Sequence, residues 1–176
     1  TIANIGFILL SLSIGSFDSF VAAMFYTLTY VITTILAFGI LSQLLSNKKP
    51  IEQIKDLEGL AKDNPLVAFM LMVIMLSYVG IPPFLGFHAK LFIIQSLVVS
   101  NSIMLSIFAV AMTVIGSYYY LRVIKVMYFD KSKEIITLNS NCIVTTILVF
   151  GLIYLGLFPN ILGEISTYSL ADLFNT

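Results

Sequence analysis

Apolar residues run almost without interruption along most of this chain, and the polar breaks between the runs predict its organisation. Ile2 to Ile14 is a short apolar run, and Phe20 to Leu45 is long enough to cross a bilayer with tilt. Between them GSFDS reads as a tight turn with one acid, Asp18. Residues 46–64 form the one substantial polar linker. Within it Ile51, Ile54, Leu57 and Leu60 recur at helical spacing and predict a short amphipathic helix on the membrane surface. Leu66 to Val99 is apolar apart from one interruption, Ile103 to Phe129 is a further span, and DKSKE forms a second charged loop. A last span covers 141–158, and residues 159–176 read as a tail carrying Glu164 and Asp172. The runs are continuous, without the alternation of barrel strands, so the expected fold is an all-α membrane protein forming a single transmembrane domain over 1–176.

Composition agrees. A chain of 176 residues that is 59% hydrophobic and 10% charged cannot enclose that much apolar surface in one small soluble core. Its mean hydropathy is +1.03. The formal net charge is zero, and the basic residues lie in two loops with no concentrated patch, so no nucleic-acid partner is expected and the lipid bilayer is. One cysteine, Cys142, excludes an internal disulfide framework. The chain opens at Thr1 with no basic n-region, which reads as the mature piece or the second half of something longer. No His or Cys cluster has metal-ligand spacing, and there is no nucleotide, flavin or nicotinamide fingerprint. No metal or cofactor is therefore expected in this chain.

Charge also bears on the number of crossings. If 66–99 is a single interrupted crossing, the basic residues Lys48, Lys49, Lys55, Lys62, Arg122, Lys125, Lys131 and Lys133 all fall on one side. The other side then holds Asp18, Glu164 and Asp172. If 66–99 were two crossings, the same basic residues would divide evenly. The expectation is about five transmembrane helices (2–14, 20–45, 66–99, 103–129, 141–158), one of them discontinuous, with the N-terminus on the positive, inner side.

The interruption is GIPPFLGFHAKLF. Pro82 and Pro83 lack amide donors and disfavour helix before them, while Gly80 and Gly86 tolerate irregular backbone, so the helix breaks between Gly80 and Gly86. Freed carbonyls at that depth must face protein or water, and broken helices of this kind build ion sites in transporters. Lys90 follows one turn later, near the midplane. A lysine there costs about 3 kcal/mol on insertion scales, so it requires a partner or a water path, and it can both take up and release a proton. The structural alternatives are snorkelling or an ion pair with a neighbouring chain. His88 either relays a proton to Lys90 or satisfies a freed carbonyl. Tyr26, Tyr30, Thr33 and Thr34 form a polar stripe that lines a water path or bonds back to its own helix, and Thr113, Ser117 and Tyr120 form another. Tyr118, Tyr119, Tyr120, Arg122 and Lys125 also read as an interfacial anchor where that helix leaves the membrane. Asn4 holds a water or bonds a neighbour.

The stretch MLSYVGIPPFLGFHAKLFIIQSLV, Met75 to Val98, resembles the LSLAGIPPLxGFxGKF signature of the antiporter-like membrane subunits of respiratory complex I, and within them the subunit 2 branch. TIANIGF resembles that family's SSIAHxGY, GSYYYLRV its GLYYYLRV, and LAFG a further family helix. The resemblance implies most of the second inverted repeat plus the last helix. Lys90 would be the central proton carrier of a subunit in NADH:ubiquinone oxidoreductase. NADH, FMN, iron–sulfur clusters and ubiquinone would be held by partner subunits of the membrane arm and beyond, and a separate chain would supply the N-terminal half. The implied location is the mitochondrial inner membrane, or alternatively a bacterial plasma membrane. A cation/proton antiporter or membrane-bound hydrogenase subunit shares the same elements, and a purely structural membrane subunit is the reading from another class. Two positions depart from the family: Asn4 stands where the family has histidine, and His88 where it has an apolar residue.

Overall fold

A computed structural model describes residues 2–46, 49–130, 135–138 and 143–174; the expectations for Lys48, Lys131, Lys133 and Cys142 lie outside the described residues. The chain is helical almost throughout. It begins with α1 (Ile2–Leu12), followed by α2 (Phe17–Leu41). The second helix starts earlier than its apolar run suggests because Ser16 and Ser19 cap it reciprocally: each hydroxyl accepts from the other's amide, at 3.1 and 3.2 Å. Ser11 fastens α1 to this corner by donating to the Ser19 carbonyl at 2.8 Å.

The polar linker is less regular than the expected amphipathic helix. It contains β1 (Leu44–Ser46), β2 (Lys49–Pro50), a single 3-10 turn (Ile54–Leu57) and α3 (Leu60–Asp63). Gly59, at φ 72°, sits in the left-handed region and divides the predicted helix in two. Leu57 and Leu60 are nevertheless buried, as their spacing requires. A third strand, β3 (Ile136–Leu138), comes from the second charged loop and completes an antiparallel sheet in the order β2-β1-β3, with Leu45 opposite both Pro50 and Thr137. Asn64 donates to the Ile136 carbonyl at 2.7 Å and the Ile136 amide donates to Asp63 at 2.8 Å. The linker and the segment after the long helix therefore meet at one end of the bundle.

The interrupted run is two helices, α4 (Pro65–Val79) and α5 (Leu85–Val99), each of 15 residues, with α6 (Ile103–Phe129) following. Pro65 occupies the first turn of α4, where a missing amide costs nothing. α4 is apolar until Ser77 and packs against α6 and α2, with Val67, Met70, Leu71, Val73 and Ile74 buried and Leu66 and Phe69 left exposed near its start. The core runs along the α2, α4 and α5 contacts through Phe25, Met70, Leu71, Ile74, Leu85 and Ile93. α6 leaves most of its length exposed, with Met104, Phe108, Ile115 and Tyr119 outward. A surface that apolar belongs against lipid or other membrane helices.

α7 (Ile143–Leu157) is a helix lying within the expected 141–158 run, and the stretch beyond Phe158 is no tail. It forms α8 (Asn160–Phe174), turned by 81° from α7, and it packs on α2 through Leu162 and the fully buried Ser166. Among the described residues two helices, α2 and α6, are each long and apolar enough to cross a membrane, and the bent α7–α8 pair meets the same test jointly. This is a multi-pass, almost entirely helical membrane protein.

Candidate functional site

The break is built as two helix ends facing each other. Gly80 ends α4 at φ 87°, and its amide and that of Ile81 return to the Leu76 carbonyl at 3.0 and 3.2 Å, a left-handed helix stop that only a residue without Cβ adopts freely. Pro82 and Pro83 follow, joined by a cis peptide bond. Phe84 then starts α5 in extended backbone, and the Gly86 amide finds the Ser77 hydroxyl at 3.1 Å. Gly86 itself is helical, so its role differs from the conformational freedom expected of it. A Cβ at Gly86 would overlap the Ser77 carbonyl oxygen, and the two half-helices touch there because none is present. Gly156 of α7 likewise approaches the break, where a Cβ would lie 2.7 Å from the Pro83 carbonyl oxygen.

Ending α4 here leaves the Tyr78 and Val79 carbonyls without amide partners in their own helix. Lys90 takes both: its Nζ donates to Tyr78 O at 2.8 Å and to Val79 O at 2.9 Å. The side chain reaches back from the second turn of α5 across the break, and Gly80 leaves room for its stem, at 3.0 Å from where a Cβ would stand. Its ammonium lies at the C-terminal end of α4, where the helix dipole is negative, and 5.8 Å above the Phe7 ring centroid. The lysine is buried, and among the described residues its hydrogen-bond partners are these neutral carbonyls.

Beside Lys90 lies a cavity of about 20 Å³ available to the centre of a water molecule, enough for one water. Asn4, Tyr26, Tyr30 and Thr33, all singled out from the sequence, line it together with Thr29, Ser77 and Tyr78. The groups are linked: Tyr26 donates to Asn4 Oδ1 at 3.1 Å, and Asn4 Nδ2 donates to the Tyr120 hydroxyl at 3.4 Å. Thr34 lies outside the lining but shares a hydrogen bond of 2.8 Å with the Tyr78 hydroxyl. Tyr78 stacks on Tyr120 with ring centroids 5.1 Å apart. The carbonyls hold the ammonium in place, while the hydroxyls and a water fitting this cavity are groups of the kind that can exchange a proton with it.

Other candidates stand elsewhere. Thr113 and Ser117 bond back to the carbonyls of Ala109 and Val114 on their own helix, and neither lines the cavity. Thr33 does both, lining the cavity while donating to the Thr29 carbonyl at 2.8 Å. His88 is half-buried, edge-on to Phe87 at 5.4 Å, and forms no hydrogen bond among the described residues. The carbonyl-satisfying part considered for it is taken by Lys90. Tyr78 and Thr29 were not singled out. Tyr78 sits inside an apolar run where only its position, two residues before Gly80, marked it.

Residues 1–116 match the family model described as NADH:quinone oxidoreductase/Mrp antiporter, transmembrane. The subunit N of NADH-quinone oxidoreductase from Thioalkalivibrio sulfidiphilus is 39% identical over 170 residues, covering 95% of this chain. This chain spans only 35% of that relative. In a solved structure of the membrane-bound sulfane sulfur reductase, an archaeal respiratory membrane complex, one chain is similar with a TM-score of 0.81 and 27% identity, over 96% of this chain and 35% of that one. Respiratory complex I from Thermus thermophilus gives a TM-score of 0.72 at 27% identity, over 90% of this chain and 36% of that one. The matched residues include α1, α2, the broken α4–α5 pair and Lys90, and the chain belongs to the NADH:quinone oxidoreductase/Mrp antiporter transmembrane family.

Proposed function

We propose that this chain is the C-terminal part of a subunit-2-type membrane subunit of a proton-translocating NADH:quinone oxidoreductase, and that Lys90 carries the proton. The observation that carries the reading is the position of Lys90: an ammonium on the freed carbonyls of Tyr78 and Val79, beside a cavity with room for water and a shell of hydroxyls. The relatives' name favours this complex over a cation/proton antiporter, while the likeness to the sulfane sulfur reductase keeps another respiratory membrane complex as the second reading. Redox cofactors belong to partner subunits, and a further segment or chain supplies the first repeat. The bacterial origin of the relative supports a plasma membrane, beside the mitochondrial inner membrane expected from the sequence.

The five-crossing topology belongs to the same proposal. Pairing of β1 with β3 supports it, because the linker before α4 and the segment after α6 share one end of the bundle. With α6 crossing once and both of those segments at the same end, α4 and α5 together make one further crossing.

The test is purification of the intact complex through this chain. Flavin and iron–sulfur subunits with NADH oxidation support the proposal, and sodium exchange without NADH oxidation refutes it. Lys90→Ala and Lys90→Arg then address the lysine. The guanidinium keeps a cation on the carbonyls but does not release its proton, so both variants lose NADH-driven pumping while the arginine form still assembles. Normal pumping in either removes Lys90 from the path.

A further inference from the structure

A second cavity, of about 590 Å³, lies at the opposite end of the bundle from the β-sheet, where α2 begins and α5 ends. Asp18, Gln95 and Ser100 at its mouth are exposed; Phe25 at its floor is fully buried. On α2, Asp18, Ala22, Phe25 and Thr29 recur at helical spacing, and Ala89, Phe92 and Ser96 of α5 with its C-cap Ser100 do the same. The two helices pack against each other. Thr29 and Ala89 line the lysine cavity, whereas the other six line the outer one. The two spaces are thus arranged in line along one helix seam. Between them stands the contact of Phe25 with Phe92, edge-on at 4.9 Å and 72°.

The polar groups at each end have the right character for water. The Thr29 hydroxyl is buried without a hydrogen-bond partner among the described residues and borders the lysine cavity. An orphaned hydroxyl of this kind is the usual mark of a water site. At the other end Asp18 offers a carboxylate to bulk solvent. From Thr29 to Asp18 the helix rises about 16 Å, close to half of the ~30 Å hydrocarbon thickness.

We infer that the cleft between α2, α5 and α8 is an aqueous vestibule forming the outer half of the path from Lys90, and that Phe25 and Phe92 are the hydrophobic gate between them. The inference rests on the reading of Lys90 as proton carrier. Two apposed rings exclude water from a narrow seam and close it by dewetting, without any charged barrier. When the gate wets, an N–H bond at Lys90 Nζ breaks and the proton passes to water beside Thr29. It then moves along the water file past Phe92 to the Asp18 carboxylate and out. Lys90 is left as the neutral amine and regains a proton from the inner end.

The test uses the assembled complex in liposomes without NADH. Phe92→Ala and Phe25→Ala raise passive proton conductance on the order of tenfold by removing the dewetted section. The added Lys90→Ala change abolishes that leak. Accessibility gives a second measurement that does not need turnover, in a background with no other reachable thiol. Gln95→Cys reacts with a membrane-impermeant methanethiosulfonate from the outer face, and Ala89→Cys reacts only when Phe92→Ala is also present. No leak in either phenylalanine variant, a leak independent of Lys90, or labelling of Ala89→Cys with both rings in place overturns the gate. An unreactive Gln95→Cys, as expected if lipid or another helix fills the cleft, overturns the vestibule. These failures are distinct from normal pumping by Lys90→Ala, which refutes the parent reading instead.

Discussion

Gly86→Ala adds one methyl group, removes no polar atom, and is expected to disable the site. The new Cβ overlaps the Ser77 carbonyl oxygen, which is backbone and cannot rotate away. Carbon and oxygen settle at about 3.3 Å or more, so α5 must withdraw from α4 by roughly 1.5 Å. Overpacking of this kind costs about 1–3 kcal/mol. The same withdrawal stretches the Lys90 hydrogen bonds, now 2.8 and 2.9 Å, past the limit at which such bonds cease to count unless the side chain follows. A misplacement of about 1 Å at a reacting group lowers rate by roughly 100-fold. The assay pairs NADH-driven proton uptake in liposomes with the amount of intact complex on native gels. Gly151→Ala is the control, since a Cβ there meets nothing within 4 Å and alanine favours helix. If Gly86→Ala assembles and pumps like Gly151→Ala, the close approach of the half-helices is not what holds the lysine.

Two further outcomes test other parts of the structure. Asn4→Leu leaves the buried Tyr26 hydroxyl without its acceptor and costs about 1–3 kcal/mol, whereas adding Tyr26→Phe recovers part of the loss. A thermal-stability cycle reads this, and strictly additive losses refute the link. In the surface linker, the amides of Gln53 and Glu52 donate to Asp56 at 2.8 and 3.0 Å and hold its carboxyl below the ordinary carboxylate range. A lowered folded-state value means that this local support is present above the unfolded value and lost as pH falls through the folded one. Hydrogen exchange at these two amides, corrected for intrinsic rates, should therefore stay protected down to acidic pH. Asp56→Ala removes the protection at every pH, and unchanged exchange in that variant contradicts the assignment.

The helix break and its lysine were readable because each residue there violates what a membrane helix prefers. The extent of α6 was readable because its apolar run ends in polar residues on both sides. The partner of Lys90 was not, since it is the backbone of Tyr78 and Val79, and backbone carries no sequence signal. Gly86 could be counted as a breaker but not as a contact, because only the fold reveals what a missing Cβ makes room for. The three tyrosines from Tyr118 to Tyr120 look alike in sequence. Successive helix positions rotate by about 100°, so Tyr118 and Tyr119 point outward while Tyr120 turns in to Asn4. The strand Ile136–Leu138 was hidden because it pairs with a segment about ninety residues earlier. α8 was hidden because its Glu164, Thr167 and Ser169 read as solvent-facing tail, whereas its packed face is Leu162 and Ser166.

The lysine that spans the break also gives the two half-helices a common fastening. α4 ends on carbonyls that α5 satisfies through one side chain, so the joint is closed by a charge. A neutral amine still donates hydrogen bonds, but weaker ones than an ammonium gives. If Lys90 carries the proton as proposed, loading it tightens the joint and unloading it slackens the joint, with no separate moving part required. Under the proposed function the proton is cargo and clasp at once, and the angle between the half-helices follows the charge state of Lys90.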